Sequence, residues 1–241
     1  MHTNREQQNG KAGGRGVYRP CPRFSRDSGN QSGIRCIVFD LGGVLVEVDG
    51  TASVSRWTGT SANSLELADM SLKLPAVRAF ETGRINAQTF ARDIVRAAGL
   101  AVSPGEFLAE FREWVRRPFV GCRQLLTRLK VDHGLTLACL SNTNSVHWER
   151  IRDEMSLGGF FDHVFLSHEI GSCKPDREAY DAVLAGMPFA ARQMLFLDDK
   201  EDNVMAARGA GLQSERVDGV DGACAALRKL GVDVHWSKLD G

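Results

Sequence analysis

The feature that most constrains this fold is a set of short apolar runs, each of which ends in polar residues. The run at 34–39 is rich in β-branched residues and almost wholly apolar, which is typical of a central strand in a parallel sheet. Similar runs and the helical patterns between and after them follow in alternation: runs at 135–140, 164–166 and 194–197, helical patterns at 119–130, 145–155, 177–185 and 202–210. This alternation predicts an α/β fold: a doubly wound, Rossmann-like parallel sheet with helices on both faces.

Residues 51–117 interrupt the alternation, because they contain helical patterns without a convincing strand. Ser103 followed by Pro104 and Glu106 predicts a capped helix start, and Asn86 is expected to cap a helix that runs to Ala98. We therefore predict an inserted helical cap domain at 49–117. The α/β core would then comprise 34–48 and 118–241.

Residues 1–33 are rich in Gly, Arg, Asn, Gln and Ser and nearly lack aliphatic side chains. Such a segment buries too little apolar surface to order itself, so we predict a disordered leader. A start placed too early would give the same composition. A basic interaction tail is the functional alternative, since this segment carries six Lys or Arg against two acids.

Composition narrows the classes of partner. The formal net charge is zero, with 43% apolar and 25% charged residues, so nothing indicates nucleic acid or an anionic membrane. No apolar run is long enough to cross a bilayer, and the N-terminus lacks a signal-peptide pattern. The six cysteines are scattered without a CxxC, which favours a reducing compartment, and we expect a cytoplasmic monomer or homodimer.

Two strand ends carry groups suited to phosphate chemistry. Asp40 follows the first run and precedes Gly42 and Gly43, so its carboxylate is placed to attack phosphorus or to bind a metal. A carboxylate that caps the turn is the alternative. Ser141 and Asn142 end the second run, where their donors would hold phosphate oxygens or cap the next helix.

Two later signatures involve charge. Lys174, which precedes a proline, is either a counter-charge to a carboxylate and phosphate or a solvated surface lysine. Asp198 and Asp199 lie side by side at the end of an apolar run, where their charges repel. A bound divalent cation relieves that repulsion, so this pair indicates a metal site.

The order of Asp40, Ser141, Lys174 and the Asp198–Asp199 pair resembles the four motifs of the haloacid-dehalogenase-like (HAD) superfamily, over about residues 35–215. The helical insertion resembles that superfamily's cap. The segments FDLGGVLV, LSNTN, GSCKPD and FLDDKEDN, with FETGRI in the cap, are similar to α-D-glucose-1-phosphate phosphatases and to the N-terminal phosphatase domain of soluble epoxide hydrolase.

This resemblance implies Mg²⁺-dependent hydrolysis of a small phosphomonoester, such as a sugar phosphate, through an aspartyl-phosphate on Asp40. The implied roles are as follows: Asp40, the Gly42 carbonyl and Asp199 bind Mg²⁺, with Asp198 as a second ligand or in the outer shell; Ser141 and Asn142 hold phosphate; Lys174 balances charge; Asn203 orients a group in the metal shell.

The chain departs from the superfamily pattern at Gly42, where most of these phosphatases carry a second aspartate as general acid and base. Such a group is typically worth about 10²–10⁴ in rate. We expect a substitute acid among Glu47, Asp49 and His147, or a leaving group that needs little protonation. A packing role for His147 is the alternative.

The cap would select the leaving group, with Arg84, Trp57 and Trp114 as candidate substrate contacts, although tryptophans at such spacing are more typical of a core. A 2-haloacid dehalogenase would also use Asp40. That chemistry needs no metal, so the acidic pair, which indicates a metal site, disfavours this alternative. A silent phosphometabolite-binding protein is a further alternative, which the retained nucleophile disfavours.

Overall fold

The structure is a computed structural model, which describes residues 33–58 and 74–234. Its centre is a five-stranded parallel sheet in the order β5-β4-β1-β6-β7. The strands are β1 (Cys36–Phe39), β4 (Thr136–Ser141), β5 (His163–Leu166), β6 (Met194–Asp198) and β7 (Gln213–Arg216). β1 pairs with β4 on one side and β6 on the other, so the first strand lies in the middle. The predicted α/β fold is confirmed.

Helices cover both faces of this sheet. They are α5 (Cys122–Val131), α6 (Ser145–Glu149) continued by a π-helical turn (Arg150–Glu154), α7 (Ser167–Ile170), α8 (Arg177–Gly186), α9 (Glu201–Gly209) and α10 (Gly219–Lys229). Side chains of β1 alternate between two apolar cores: Ile37 and Phe39 join the cluster that includes α5 and α10, and Val38 joins the one that includes α8. Burial on both faces explains why the strands are almost continuously apolar.

The helices between β1 and α5 have an apolar core of their own. A short antiparallel ribbon of β2 (Val46–Val48) and β3 (Val115–Pro118) joins them to the sheet. Between these strands lie α1 (Thr51–Thr58), α2 (Pro75–Glu81), α3 (Ala87–Ala97) and α4 (Pro104–Arg112). Their core is mostly aromatic and includes Phe80, Phe90, Phe107 and Phe111. We call this group of helices the cap; the bounds 49–117 stay a prediction.

Both predicted helix starts in the cap are confirmed. The Asn86 side chain accepts a hydrogen bond from Thr89 N at 2.9 Å, and Ser103 and Glu106 form a capping box. The structure also differs from the predictions. β7 was not predicted, β3 lies partly inside the block thought to lack strands, and the helix predicted at 145–155 changes to a π-helical turn after Glu149.

Some predictions fall outside the described residues. The predicted leader at 1–33 lies outside them apart from Gly33, as does the stretch of the cap at 59–73. The five described cysteines are buried and free, so the reducing, cytoplasmic setting stays a prediction. Across the described ranges, the helices are all too short or too polar to traverse a lipid bilayer.

Candidate active site

Asp40 lies at the carboxyl end of the central strand, where sequence reasoning placed it. Its backbone N–H donates to the Leu197 carbonyl at 2.8 Å, which extends the β1–β6 ladder by one residue, and its side chain is mostly buried. The chain then turns sharply: Gly43 has a φ of +77°, and its N–H donates to Val46 O at 3.0 Å. A left-handed φ favours glycine, so Gly43 serves this turn.

Lys174 joins the first and last sequence motifs. Its buried ammonium lies 2.7 Å from Asp40 Oδ1 and 2.6 Å from Asp198 Oδ2. Burial alone would lower the pKa of Lys174, but the charges of Asp40 and Asp198 hold that pKa above its usual value. Lys174 is therefore a charged bridge between two carboxylates, and the surface alternative is excluded.

Asn142 fixes the backbone of Lys174. Its Nδ2 donates to the Lys174 carbonyl at 2.8 Å, and its Oδ1 accepts from the Lys174 N–H at 2.8 Å. This pair of bonds ties the end of β4 to the loop that carries the lysine. Asn142 is thus a positioning residue for Lys174, and its predicted contact with phosphate stays a prediction.

Asp198 is fully buried, and protein donors surround its carboxylate. Oδ1 accepts from the Lys200 N–H at 2.9 Å and from Asn203 Nδ2 at 2.9 Å, while Oδ2 accepts from Lys174 and from Asn203 Nδ2 at 3.1 Å. Because these donors occupy both oxygens, this geometry favours the outer-shell role of the two predicted for Asp198. Asn203 orients that carboxylate.

Asp199 is the member of the acidic pair that suits a metal. Its Oδ1 is buried and has no hydrogen-bond partner within the described part of the chain. Burial, followed by the charges of Asp40 and Asp198, raises the pKa of Asp199 to about 6. One ligand atom from each of these three carboxylates lies within 4.8 Å of the others. A buried, unpartnered oxygen in an acidic cluster fits a hard divalent cation such as Mg²⁺.

Gly43 makes room for this arrangement. A Cβ at position 43 would lie 2.6 Å from Asp199 Oδ2, closer than real Cβ atoms come to another atom. The turn after Asp40 and the acidic pair after β6 therefore approach each other only because position 43 lacks a side chain.

Two cavities meet at this end of the sheet. The catalytic cavity measures about 450 Å³ and is lined mainly by polar and charged residues: Asp40, Glu47, Asn142, Lys174, Asp199, Lys200 and Asn203. The cap cavity measures about 350 Å³, and its wall is mainly apolar and aromatic: Trp57, Phe80, Phe90, Phe107, Phe111 and Trp114. Gly42, Val48 and Asn142 line both cavities. Ser141 ends β4 and lines the cap cavity.

The structure separates the predicted cap contacts from one another. Trp57 and Trp114 line the cap cavity, with ring centroids 6.2 Å apart. Arg84 lies exposed on the turn after α2 and is not among the described residues that line either cavity. The structure therefore does not bring Arg84 to the predicted phosphate site.

Two of the three candidate acids, His147 and Asp49, are engaged in hydrogen bonds within the protein. His147 Nε2 donates to the Phe111 carbonyl at 2.7 Å, its Nδ1 accepts from Asn144 Nδ2 at 3.3 Å, and burial lowers the pKa of His147 to about 4. A neutral imidazole held in this way has no proton to give near neutral pH, so the packing role fits. Asp49 accepts two hydrogen bonds from Thr51, which lower its pKa.

Glu47, the third candidate, shares a cavity with Asp40. It lies on β2, lines the catalytic cavity and pairs with Arg117 at 3.0 Å. That ion pair engages the Glu47 carboxylate with Arg117.

Sequence reasoning missed Glu81 as an acid. It ends α2 and lines the cap cavity together with Leu41 and Gly42, which closely follow Asp40 in sequence. Burial raises the pKa of the Glu81 carboxyl, although Lys200 and Arg78 oppose that shift. Glu81 belongs to the cap segment FETGRI, but nothing in that pattern shows that the helix end faces the core.

The fold and site define an α/β protein whose reactive groups are a buried carboxylate, a lysine bridge and an acidic pair at the carboxyl ends of parallel strands. The chain belongs to the haloacid dehalogenase-like hydrolases, whose family model matches residues 34–211. The predicted membership of the superfamily is confirmed, whereas the glucose-1-phosphate subgroup stays a prediction.

Curated relatives and solved structures agree with this family. Sesquiterpene phosphatase astK of Aspergillus oryzae is 28% identical over 200 residues, covering 81% of this chain and 96% of the relative. D-ribitol-5-phosphate phosphatase of Bacteroides thetaiotaomicron is 26% identical over 197 residues, covering 75% and 90%. The structure of a HAD-family enzyme from B. thetaiotaomicron, in complex with magnesium and inorganic phosphate, superposes with a TM-score of 0.65 at 23% identity, covering 77% and 94%.

Proposed function

We propose that this chain is a Mg²⁺-dependent phosphatase that hydrolyses a small phosphomonoester through an aspartyl-phosphate on Asp40. The observation that carries this proposal is the ion pair between Lys174 and Asp40, which we call the clamp. Lys174 holds Asp40 Oδ1 at 2.7 Å, while the neighbouring Asp199 presents a buried oxygen with no partner in the described residues. Nucleophile, counter-charge and metal ligand thus converge on one polar cavity.

The reaction proceeds in two displacements. Asp40 Oδ2 attacks phosphorus, the bond from phosphorus to the leaving oxygen breaks, and the leaving group departs with the bonding pair and takes up a proton. Water then attacks the same phosphorus and gives a proton to the group that protonated the leaving oxygen. The bond from phosphorus to Asp40 Oδ2 breaks, which releases phosphate and restores the Asp40 carboxylate. Lys174 keeps Asp40 oriented through Oδ1 and stabilises negative charge at the site. The Ser141 hydroxyl and the Asn142 backbone N–H donate to the phosphoryl oxygens.

The donor set fits Mg²⁺, which favours a few carboxylates together with water and phosphate. Asp40, the Gly42 carbonyl and Asp199 would hold the ion, and Asp198 would support the site from the outer shell. When bound, Mg²⁺ supplies charge neutralisation and alignment of the phosphoryl group.

Glu81 is proposed as the proton donor that replaces the aspartate absent at Gly42. It lines the cavity that also contains Leu41 and Gly42, and burial raises its pKa and so favours the protonated carboxyl that an acid requires. Dependence on this proton grows as the leaving alcohol becomes less acidic. A sugar anomeric oxygen would need it less than a simple alcohol.

The relatives support a phosphatase but differ in the substrates that their names give: a sesquiterpene in one case and D-ribitol 5-phosphate in the other. The sugar-phosphate substrate predicted from the sequence is supported by the second relative. For this chain, the proposed partner is a small-molecule phosphate ester, whichever of these two substrate types it resembles.

Phosphate release from p-nitrophenyl phosphate, measured with Mg²⁺ and with EDTA, tests the proposal. We expect release that requires Mg²⁺ and falls by at least about 10³-fold in Asp40→Asn, since the nucleophile itself is lost. Asp181→Asn is the matched control, because Asp181 lies exposed on α8, where it pairs with Arg177. That variant should keep wild-type turnover.

Chloride release from 2-chloropropionate without metal would instead support a dehalogenase. Silence in both assays would support a binding protein that lacks catalysis. Either result contradicts the phosphatase proposal.

A further inference from the structure

The wall of the cap cavity is apolar to an extent that a sugar does not match. Six aromatic side chains of the cap line it, and Val54, Val77, Ile94 and Leu100 fill much of the remaining surface. At about 350 Å³ the cavity falls in the size range of sites for small organic ligands. An apolar wall of this extent favours a hydrophobic occupant, because both surfaces are then removed from water.

Polar groups along this wall are largely engaged with the protein. His147 uses both ring nitrogens, on Phe111 and Asn144, and Asp49 accepts from Thr51. A sugar would bring several hydroxyls, each of which costs free energy when it is buried without a partner. Trp114 Nε1 is a buried donor that has no partner within the described ranges, which suits an isolated polar atom on an apolar ligand.

The cap cavity continues into the catalytic cavity at Gly42. A Cβ at position 42 would lie 3.3 Å from Val48 Cγ2, and both residues line the two cavities. A longer side chain would narrow this junction further. Glycine at position 42 therefore keeps open a route from the Asp40 carboxylate to the aromatic wall.

We propose that the leaving group of this enzyme is a hydrophobic alcohol, whose hydrocarbon body fills the cap cavity while its phosphate lies at Asp40. This inference rests on the proposed phosphatase function and replaces the sugar as substrate class. The charge pattern agrees: an amphiphile with a dianionic head and an apolar body meets an ammonium at one end and aromatic rings at the other. An alkyl alcohol is also a poor leaving group, which gives Glu81 its role as acid.

A series of n-alkyl phosphates from ethyl to decyl, used below the concentrations at which they form micelles, tests the inference. The kcat/KM with Mg²⁺ should rise about three- to fourfold per added methylene until the cavity is full. The longer esters should exceed glucose 1-phosphate and ribitol 5-phosphate by at least about 10²-fold, since several methylenes are then buried.

Two phenylalanine substitutions at adjacent positions localise the effect. Ala98 lines the cap cavity, whereas Ala97 is exposed and is not among the lining residues described. Ala98→Phe should shorten the chain length at which kcat/KM stops rising, and Ala97→Phe should leave that length unchanged. Equal chain-length profiles in both variants would overturn the assignment of this cavity.

The outcomes separate the two proposals. A flat alkyl series beside efficient hydrolysis of the sugar phosphates overturns the hydrophobic leaving group and leaves the phosphatase standing. If no ester is hydrolysed, the proposed phosphatase function is wrong. Binding of the alkyl phosphates to Asp40→Asn, measured by tryptophan fluorescence, then tests whether the cap cavity takes a hydrophobic ligand. Affinity that rises with chain length supports the hydrophobic site, and affinity independent of chain length overturns it.

Discussion

The catalytic cavity and the cap cavity share Gly42, Val48 and Asn142, but they are built in different ways. In the catalytic cavity, fixed polar contacts hold the reactive groups: Lys174 bridges Asp40 and Asp198, and Asn142 fixes Lys174. In the cap cavity, aromatic rings pack at centroid distances such as 4.4 Å for Phe80–Phe90 and leave open space between them. This difference supports the two proposals, which place the chemistry in the polar cavity and the choice of substrate in the apolar one.

Loss of the Lys174 charge should have the largest effect on the catalytic cavity. Lys174→Met should lower turnover by about 10³-fold, because a preorganised charge at the phosphoryl site is lost. It should also lower the free energy of unfolding by about 3–5 kcal/mol, since two buried carboxylates lose their counter-charge. Turnover and urea unfolding measure the two effects, and Lys229→Met on the last helix is the control. A folded variant with wild-type turnover would contradict the clamp.

Glu81→Gln tests whether Glu81, in the cap cavity, donates a proton to the leaving group of a phosphate ester attacked by Asp40. We expect turnover of alkyl phosphates to fall by about 10²-fold, whereas p-nitrophenyl phosphate, whose leaving group needs little protonation, should lose much less. Glu178→Gln, at an exposed position on α8, is the matched control and should affect neither substrate. Equal losses on both substrates would show that Glu81 acts on the structure rather than as an acid.

His147 joins the cap to the sheet, and its effect concerns stability and pH. Its pKa is lowered from 6.5 to about 4 in the folded state, so the unfolded chain takes up the proton first as pH falls. Stability from the neutral ring is therefore present above pH 6.5 and is lost towards pH 4. Its size is up to about 3 kcal/mol.

Urea unfolding of His147→Gln between pH 4 and pH 7 measures this effect. The variant should show a weaker loss of stability on acidification than the wild type, because glutamine does not titrate. His133→Gln, in the turn before β4, should follow the wild type. Parallel curves for all three proteins would mean that His147 is not held neutral by the cap contact.

Much of the polar region was predictable because parallel strands bring their carboxyl ends to one edge of the sheet. Asp40, Ser141 and the acidic pair could be grouped by that rule. Lys174 lies in the loop after the short helix that follows β5, and the resemblance of the motif order grouped it with them. The two hydrogen bonds between Asn142 and the Lys174 backbone were not predictable, since they depend on how two loops approach each other. β7 was missed because its sequence, QSER, is polar, as an edge strand tolerates.

The cap was harder to predict for a physical reason. Its aromatic residues follow helical spacing whether they fill a core or surround a cavity, so the pattern for Trp57 and Trp114 is the same in both cases. Glu81 gave no signal because its burial, which raises its pKa, arises only when the chain folds. Similarly, no sequence pattern shows that Arg84 is exposed and lines neither of the two described cavities.

The claim that Asp40 attacks phosphorus is tested most directly by trapping the enzyme during turnover. Protein quenched in acid while it hydrolyses p-nitrophenyl phosphate with Mg²⁺ should carry a phosphoryl group, and peptide mass spectrometry should place that group on Asp40. The adduct should disappear after hydroxylamine treatment and be absent from Asp40→Asn. A phosphoryl group on another residue, or undiminished phosphate release by Asp40→Asn, would contradict the account.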